Sequence, residues 1–244
     1  MLAELPQVVV SCSPTALGDR MEATYGGHRH GVPCRLAVSV LALPADGEDY
    51  LTGPARQAVR VNSTRAADAG VSCRRMGRVE AEVRISAVLR ARGEEDLVET
   101  VRADLQSGLV AAWLARDADD VTEVVALTSV DGAFARLDLL LAAPARAAGP
   151  ARYLLAAHLV AQLAARGVRH LAVDTALFLD AEARDFQRLL GFEPMTLELT
   201  RGPQPDDGCP APRISPASGP VPTVSARPRP SEPRTPEPVV ARVG

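Results

Sequence analysis

The sequence predicts an α/β domain: a mixed central sheet with helices on both faces, followed by a disordered C-terminal tail. Helical patterns come first, a three-strand antiparallel meander occupies the middle, and a β-α-β-α-β alternation closes the ordered part. Composition then changes near Gly202. Residues 202–244 hold 12 of the chain's 20 prolines and no aromatic residue. Such a segment cannot bury enough apolar surface to offset the entropy of ordering it. The domain is therefore expected over residues 1–201 and the tail over 202–244. The stretch Arg227 to Pro238 would sample polyproline II and offer an arm to a protein partner.

The elements follow in order. Gln7–Ser11 and Arg35–Leu43 read as weak strands, and residues 1–50 as a whole are open to three roles: an added strand, a homodimer contact or a lid. Thr52-Gly53-Pro54 opens a helix running to Gly70, since proline loses no needed hydrogen bond in a first turn. A second helix pairs Val79 with Val83 and Ile85 with Leu89, ending at Arg90, Arg92 and Gly93. A third starts with Glu94, Glu95 and Asp96 and puts Leu97, Val101 and Leu105 on one stripe. The strands Leu109–Arg116, Val124–Val130 and Ala133–Ala142 form the meander, with Asp131-Gly132 as its hairpin turn. A helix over 151–166, strand Arg169–Thr175, helix Asp180–Leu190 and strand Glu193–Thr200 complete the domain.

Composition excludes several classes of function. The chain has 244 residues and a net charge of −3, and every basic residue is arginine. That balance gives no electrostatic reason to expect nucleic acid as a ligand. No apolar run reaches the ~18–20 residues that span a bilayer, so no membrane partner is expected. Cys12, Cys34, Cys73 and Cys209 are too scattered for a disulfide framework or a zinc ribbon. His28, His30 and Cys34 lack an evident fourth ligand, so no metal is expected. The N-terminus has no basic region ahead of a long apolar one, which makes the cytoplasm the default location.

The informative join is the loop from the third meander strand into its helix, Ala143-Pro144-Ala145-Arg146-Ala147-Ala148-Gly149-Pro150-Ala151. A helix N-terminus offers unpaired N–H groups backed by the positive end of the helix dipole, an anion site in its simplest form. Gly149 and the small Ala147, Ala148 and Ala151 leave room for a phosphate. Here the chain resembles the GCN5-related N-acetyltransferase (GNAT) superfamily, whose pyrophosphate loop reads Q/R-x-x-G-x-G/A. Arg146-x-x-Gly149-x-Ala151 matches it, and Phe186-Gln187-Arg188-Leu189-Leu190-Gly191-Phe192 is similar to the family's F-Y-x-x-L-G-F segment. The resemblance covers roughly residues 53–201.

It implies transfer of an acyl group from acetyl-CoA, or another acyl-CoA, to a small-molecule or protein amine. The loop residues Arg146, Ala147, Ala148, Gly149 and Ala151 would hold the pyrophosphate. The pantetheine would lie between the strands ending near Ala142 and Thr175, where Thr175 would bond its amides. The attacking amine needs a base, and Asp138 and Asp174 are the candidates. Two positions depart from the family pattern: Pro150 lacks an N–H, and Gln187 stands where a tyrosine often protonates the departing thiolate. These departures motivate the alternative of a catalytically degenerate binding or scaffold protein whose tail recruits a partner. A further alternative, aminoacyl transfer from tRNA, fits a single near-neutral domain poorly. Trp113 reads as a core anchor, His158, Gln162 and Arg166 as an exposed helix edge, and Arg56, Arg60 and Arg65 as a solvated face.

Overall fold

The computed structural model describes residues 5–144 and 149–202, so the tail beyond Gly202 and the loop residues Ala145 to Ala148 lie outside it. Strand β1 (Gln7–Cys12) leads into helix α1 (Ala16–Gly26), which the sequence reading misses. The Thr15 hydroxyl caps α1 by accepting from the Gly18 amide, and Gly18 is needed there because a Cβ would sit 1.9 Å from the Ser13 carbonyl oxygen. A short hairpin, β2 (His28–Arg29) and β3 (Val32–Pro33), precedes β4 (Val38–Ala42). Two 3-10 turns, Gly47–Leu51 and Pro54–Arg56, lead to α2 (Gln57–Asp68), β5 (Ser72–Met76), α3 (Arg78–Ala91) and α4 (Asp96–Ser107). The meander is β6 (Ala111–Arg116), β7 (Thr122–Asp131) and β8 (Phe134–Ala142). After it come α5 (Ala151–Ala164), β9 (His170–Thr175), α6 (Ala181–Leu190) and β10 (Glu193–Arg201).

Eight strands form one mixed sheet in the order β1-β10-β4-β9-β8-β7-β6-β5. Residues 1–50 thus supply two of its strands. β4 runs antiparallel between β9 and β10, while β1 lies parallel to the second part of β10 at the sheet edge. At the other edge β5 carries Arg74 and Arg75, charges that suit an edge and hide the strand from a search for alternating apolar residues.

Period-two alternation sends neighbouring side chains to opposite faces. On one face Trp113, Ala115, Val124 and Ala126 pack on Leu155 and Leu159 of α5, and Leu41, Ala135 and Leu171 pack on α2 and α5 through Val59, Val160 and Leu163. On the other, Leu114, Val125 and Leu127 meet Ile85, Leu89, Val101 and Leu105 of α3 and α4, and Val10, Val38, Val40 and Leu197 meet Met21 and Tyr25 of α1. Trp113 is a core anchor, and its indole N–H donates to the Thr128 hydroxyl at 2.9 Å. His158 departs from expectation: it is packed edge-to-face on Trp113, with ring centroids 6.0 Å apart. Arg56 and Arg60 are not free either. Arg60 donates to the Leu51 and Gly53 carbonyls at 2.5 and 2.6 Å, and the Arg56 guanidinium lies over Tyr50.

Two expectations follow. Leu41 of β4 is only 1% exposed, so Leu41→Ala should cost about 2–5 kcal/mol in urea unfolding, and deletion of residues 1–45 should leave no cooperative transition. Burial holds the His158 and His170 imidazoles below their ordinary value of 6.5, so the unfolded chain binds more protons below that pH. Stability should therefore be highest above pH 6.5 and fall as pH drops beneath it, and His158→Phe should flatten that slope.

Candidate functional site: the cleft between strands β8 and β9

Strands β8 and β9 begin as a parallel pair. Phe134, Ala135 and Arg136 stand opposite His170, Leu171 and Ala172, and there the pairing stops. β8 continues to Ala142 on β7, whereas β9 continues to Thr175 on β4. The strands separate because each follows its other neighbour, and a cleft of about 460 Å³ opens between them. Its apolar wall includes Leu137, Leu140, Val173, Phe186 and Phe192.

β8 also changes register here. Leu127 of β7 stands opposite Leu139 and Thr128 opposite Leu137, which leaves Asp138 as the extra residue of a β-bulge. The bulge shifts the pairing of the residues that follow, while Asp138 stays on the side of Arg136, two residues before it. Its side chain is only 6% exposed. Oδ1 accepts from Arg136 Nη1 at 2.7 Å and from Arg20 Nη2 at 3.4 Å. Arg20, on α1, is held in turn by both carboxylate oxygens of Asp104 on α4. That hydrogen bond and the neighbouring carboxylates push the Arg20 guanidinium above its usual range, against the opposing effect of burial.

The other expected residues distribute as follows. Asp174 lines the same cleft but is half exposed: Oδ2 accepts from Arg29 Nη1 at 2.8 Å, and Oδ1 accepts from the Thr175 amide at 2.8 Å. Ala142 also lines the cleft. Thr175 does not. Its hydroxyl donates to the Leu36 carbonyl at 3.1 Å and accepts from the Leu177 amide, which ties β9 to the segment before β4. Gly149 and Ala151 flank the start of α5, and Ala151 is buried against the α5 core; Arg146, Ala147 and Ala148 lie outside the described residues. The end of α5 is more closed than the loop motif suggests. Pro150 has no N–H, and the amides of Arg152, Tyr153 and Leu154 donate to the Gly149 and Pro150 carbonyls at 3.3, 3.1 and 3.2 Å.

Positive charge at the mouth comes instead from Arg152, which sequence reasoning passes over. Its guanidinium lies 4.4 Å from the Phe186 ring centroid and pairs with exposed Glu182 at 3.2 Å. It is the one charge in the first turn of an otherwise apolar helix, and that isolation was legible. Arg136 was legible too, two residues before Asp138 on one strand. Arg20, 118 residues away from Asp138 in sequence, was not. Four buried polar atoms on cleft residues have no partner among the described residues: Arg136 Nε, Asp138 Oδ2, Arg152 Nε and Gln187 Oε1. Native chains satisfy nearly all such atoms, so this concentration points to a ligand or water that completes them. No group of three or more His, Cys, Asp or Glu side chains among the described residues is placed to hold a metal ion.

No family model and no curated protein sequence matches the chain. Solved structures do. FemX superposes over 65% of this chain and 59% of its own length at 9% identity, with a TM-score of 0.53. A conserved protein of unknown function from Bacteroides thetaiotaomicron VPI-5482 superposes over 64% and 55% at 8% identity, with a TM-score of 0.52. A tandem GNAT protein from the clavulanic acid biosynthesis pathway overlaps 78% of this chain and 59% of its own at 16% identity, with a TM-score of 0.45. The chain spans less than two-thirds of the length of each. At such identities the likeness concerns the fold alone, a mixed sheet with helices on both faces.

Removing a partner from a buried ion pair costs about 3–5 kcal/mol, and Arg20 would still hold part of the Asp138 charge. Arg136→Ala should therefore lower stability by about 2 kcal/mol, read by urea unfolding.

Proposed function

We propose that this chain, a divergent protein of GNAT-type fold, transfers an acyl group from an acyl-CoA, acetyl-CoA in the simplest case, to an amine in the cytoplasm. The gap between β8 and β9 is the observation that carries the proposal: it combines apolar walls with polar atoms unpartnered among the described residues in one cleft. Those residues suit the donor. Leu137, Leu140 and Val173 would flank its apolar stem, Gln187 Oε1 would accept from an amide N–H, and Arg152 would face its phosphates at the α5 end. Bound acyl-CoA supplies the acyl group already activated as a thioester.

The chain's own residues then hold the amine and manage its proton. Asp138 Oδ2 accepts an amine N–H, while the charge of the carboxylate is compensated by Arg136 and Arg20. Asp174, at the exposed side of the same cleft, passes the amine proton to solvent. Gln187 is no acid at neutral pH, so a departing group takes its proton from water. That same residue supports a second reading, in which the cleft binds the donor without turnover.

Calorimetric titration of the full chain with acetyl-CoA separates these outcomes. Micromolar binding is expected, abolished by Gly149→Glu and weakened about tenfold or more by Arg152→Ala through the loss of a charged hydrogen bond. A folded chain that does not bind acetyl-CoA overturns the proposal. Binding without turnover of any amine selects the second reading.

A further inference from the structure

We infer that the Arg136–Asp138 pair, backed by Arg20 and Asp104, is a binding site for a small zwitterion with an ammonium and a carboxylate on one short stem, an α-amino acid or close relative. Its role as acceptor site rests on the acyl-transfer proposal, but its binding of the zwitterion does not. Two guanidiniums and two carboxylates meet where α1 and α4 approach the bulge of β8, and their formal charges cancel. The cluster is nevertheless incomplete. Among the described residues Asp138 Oδ2 lacks a donor and Arg136 Nε lacks an acceptor, although both are buried and both residues line the cleft. A half-satisfied buried charge pair is costly, so the missing partners define a ligand.

An ammonium completes Oδ2, and a carboxylate completes Nε. Because Arg136 Nη1 and Asp138 Oδ1 are in contact at 2.7 Å, the two vacant atoms belong to a single ion pair, and the inferred ligand is one molecule that carries both complementary charges. Charge selects further. A simple amine or a simple carboxylate would each leave one unit of charge uncompensated in a buried place, whereas a zwitterion leaves none.

The test is titration of the full chain with each of the common α-amino acids, with the corresponding decarboxylated amines and with the N-acetylated amino acids, in the presence and absence of CoA. At least one amino acid should bind, with its decarboxylated and N-acetylated forms weaker by about tenfold or more. Asp138→Asn should lose that binding. Arg136→Lys keeps the charge that holds Asp138 while removing the Nε donor, so it should remain folded and erase the preference for the amino acid over its amine. The inference is overturned if no amino acid binds the folded chain under either condition, or if the decarboxylated amine binds as tightly as the parent. Amino-acid binding without acetyl-CoA binding would uphold the site and remove the acyl-transfer proposal, and acetyl-CoA binding without amino-acid binding would do the reverse.

Discussion

Beyond Arg136 and Ala172 the hydrogen-bond ladder between β8 and β9 ends, and the cleft exists because nothing among the described residues restores it. Backbone amides and carbonyls along both strands then face an opening rather than each other, and such groups seek partners from whatever enters. The gap persists because each strand is secured on its far side. β8 is paired with β7 along its whole length, and β9 is paired with β4. The N-terminal segment is therefore structural to the site. Ala37 accepts from the Ala176 amide at 2.7 Å and Leu36 from the Thr175 hydroxyl, so the end of β9 is held away from β8 by residues over 130 positions earlier.

Electrostatics at the cleft follow from that geometry. The carboxylate of Asp138, at the bulge of β8, is buried, and its charge is met by Arg136 from the same strand and Arg20 from α1. At the other end Arg152 stacks on Phe186 beside a helix start that Pro150 has partly closed. The cleft thus carries ion pairs at two places, Arg136 with Asp138 and Arg152 with Glu182.

The meander and the β-α-β-α-β succession were legible because each element carries its own local signal: the Asp131-Gly132 turn, apolar runs of strand length, and charges at helix ends. The elements that escaped have no such signal. α1 depends on Thr15 capping and on Gly18 lying against Ser13, and β5 is an arginine-bearing edge strand. Within the site, Asp138 and Asp174 were legible as strand carboxylates, but the burial of Asp138 was not, since Arg20, which helps to cover it, lies 118 residues away in sequence. Thr175 was legible as polar, but its bond to the Leu36 carbonyl was not, because Leu36 is distant in sequence. Arg56 and Arg60 likewise looked solvated until the carbonyls of Leu51 and Gly53 and the Tyr50 ring came beside them.

Hydrogen exchange of the full chain, followed by mass spectrometry with and without acetyl-CoA, tests most directly whether the open edge between β8 and β9 is where the ligand binds. The account predicts added protection confined to β8, β9 and the first turns of α5. Protection instead along the apolar groove of Val83, Ala87 and Ala91 on α3, or none in β8 and β9 despite binding, would contradict it.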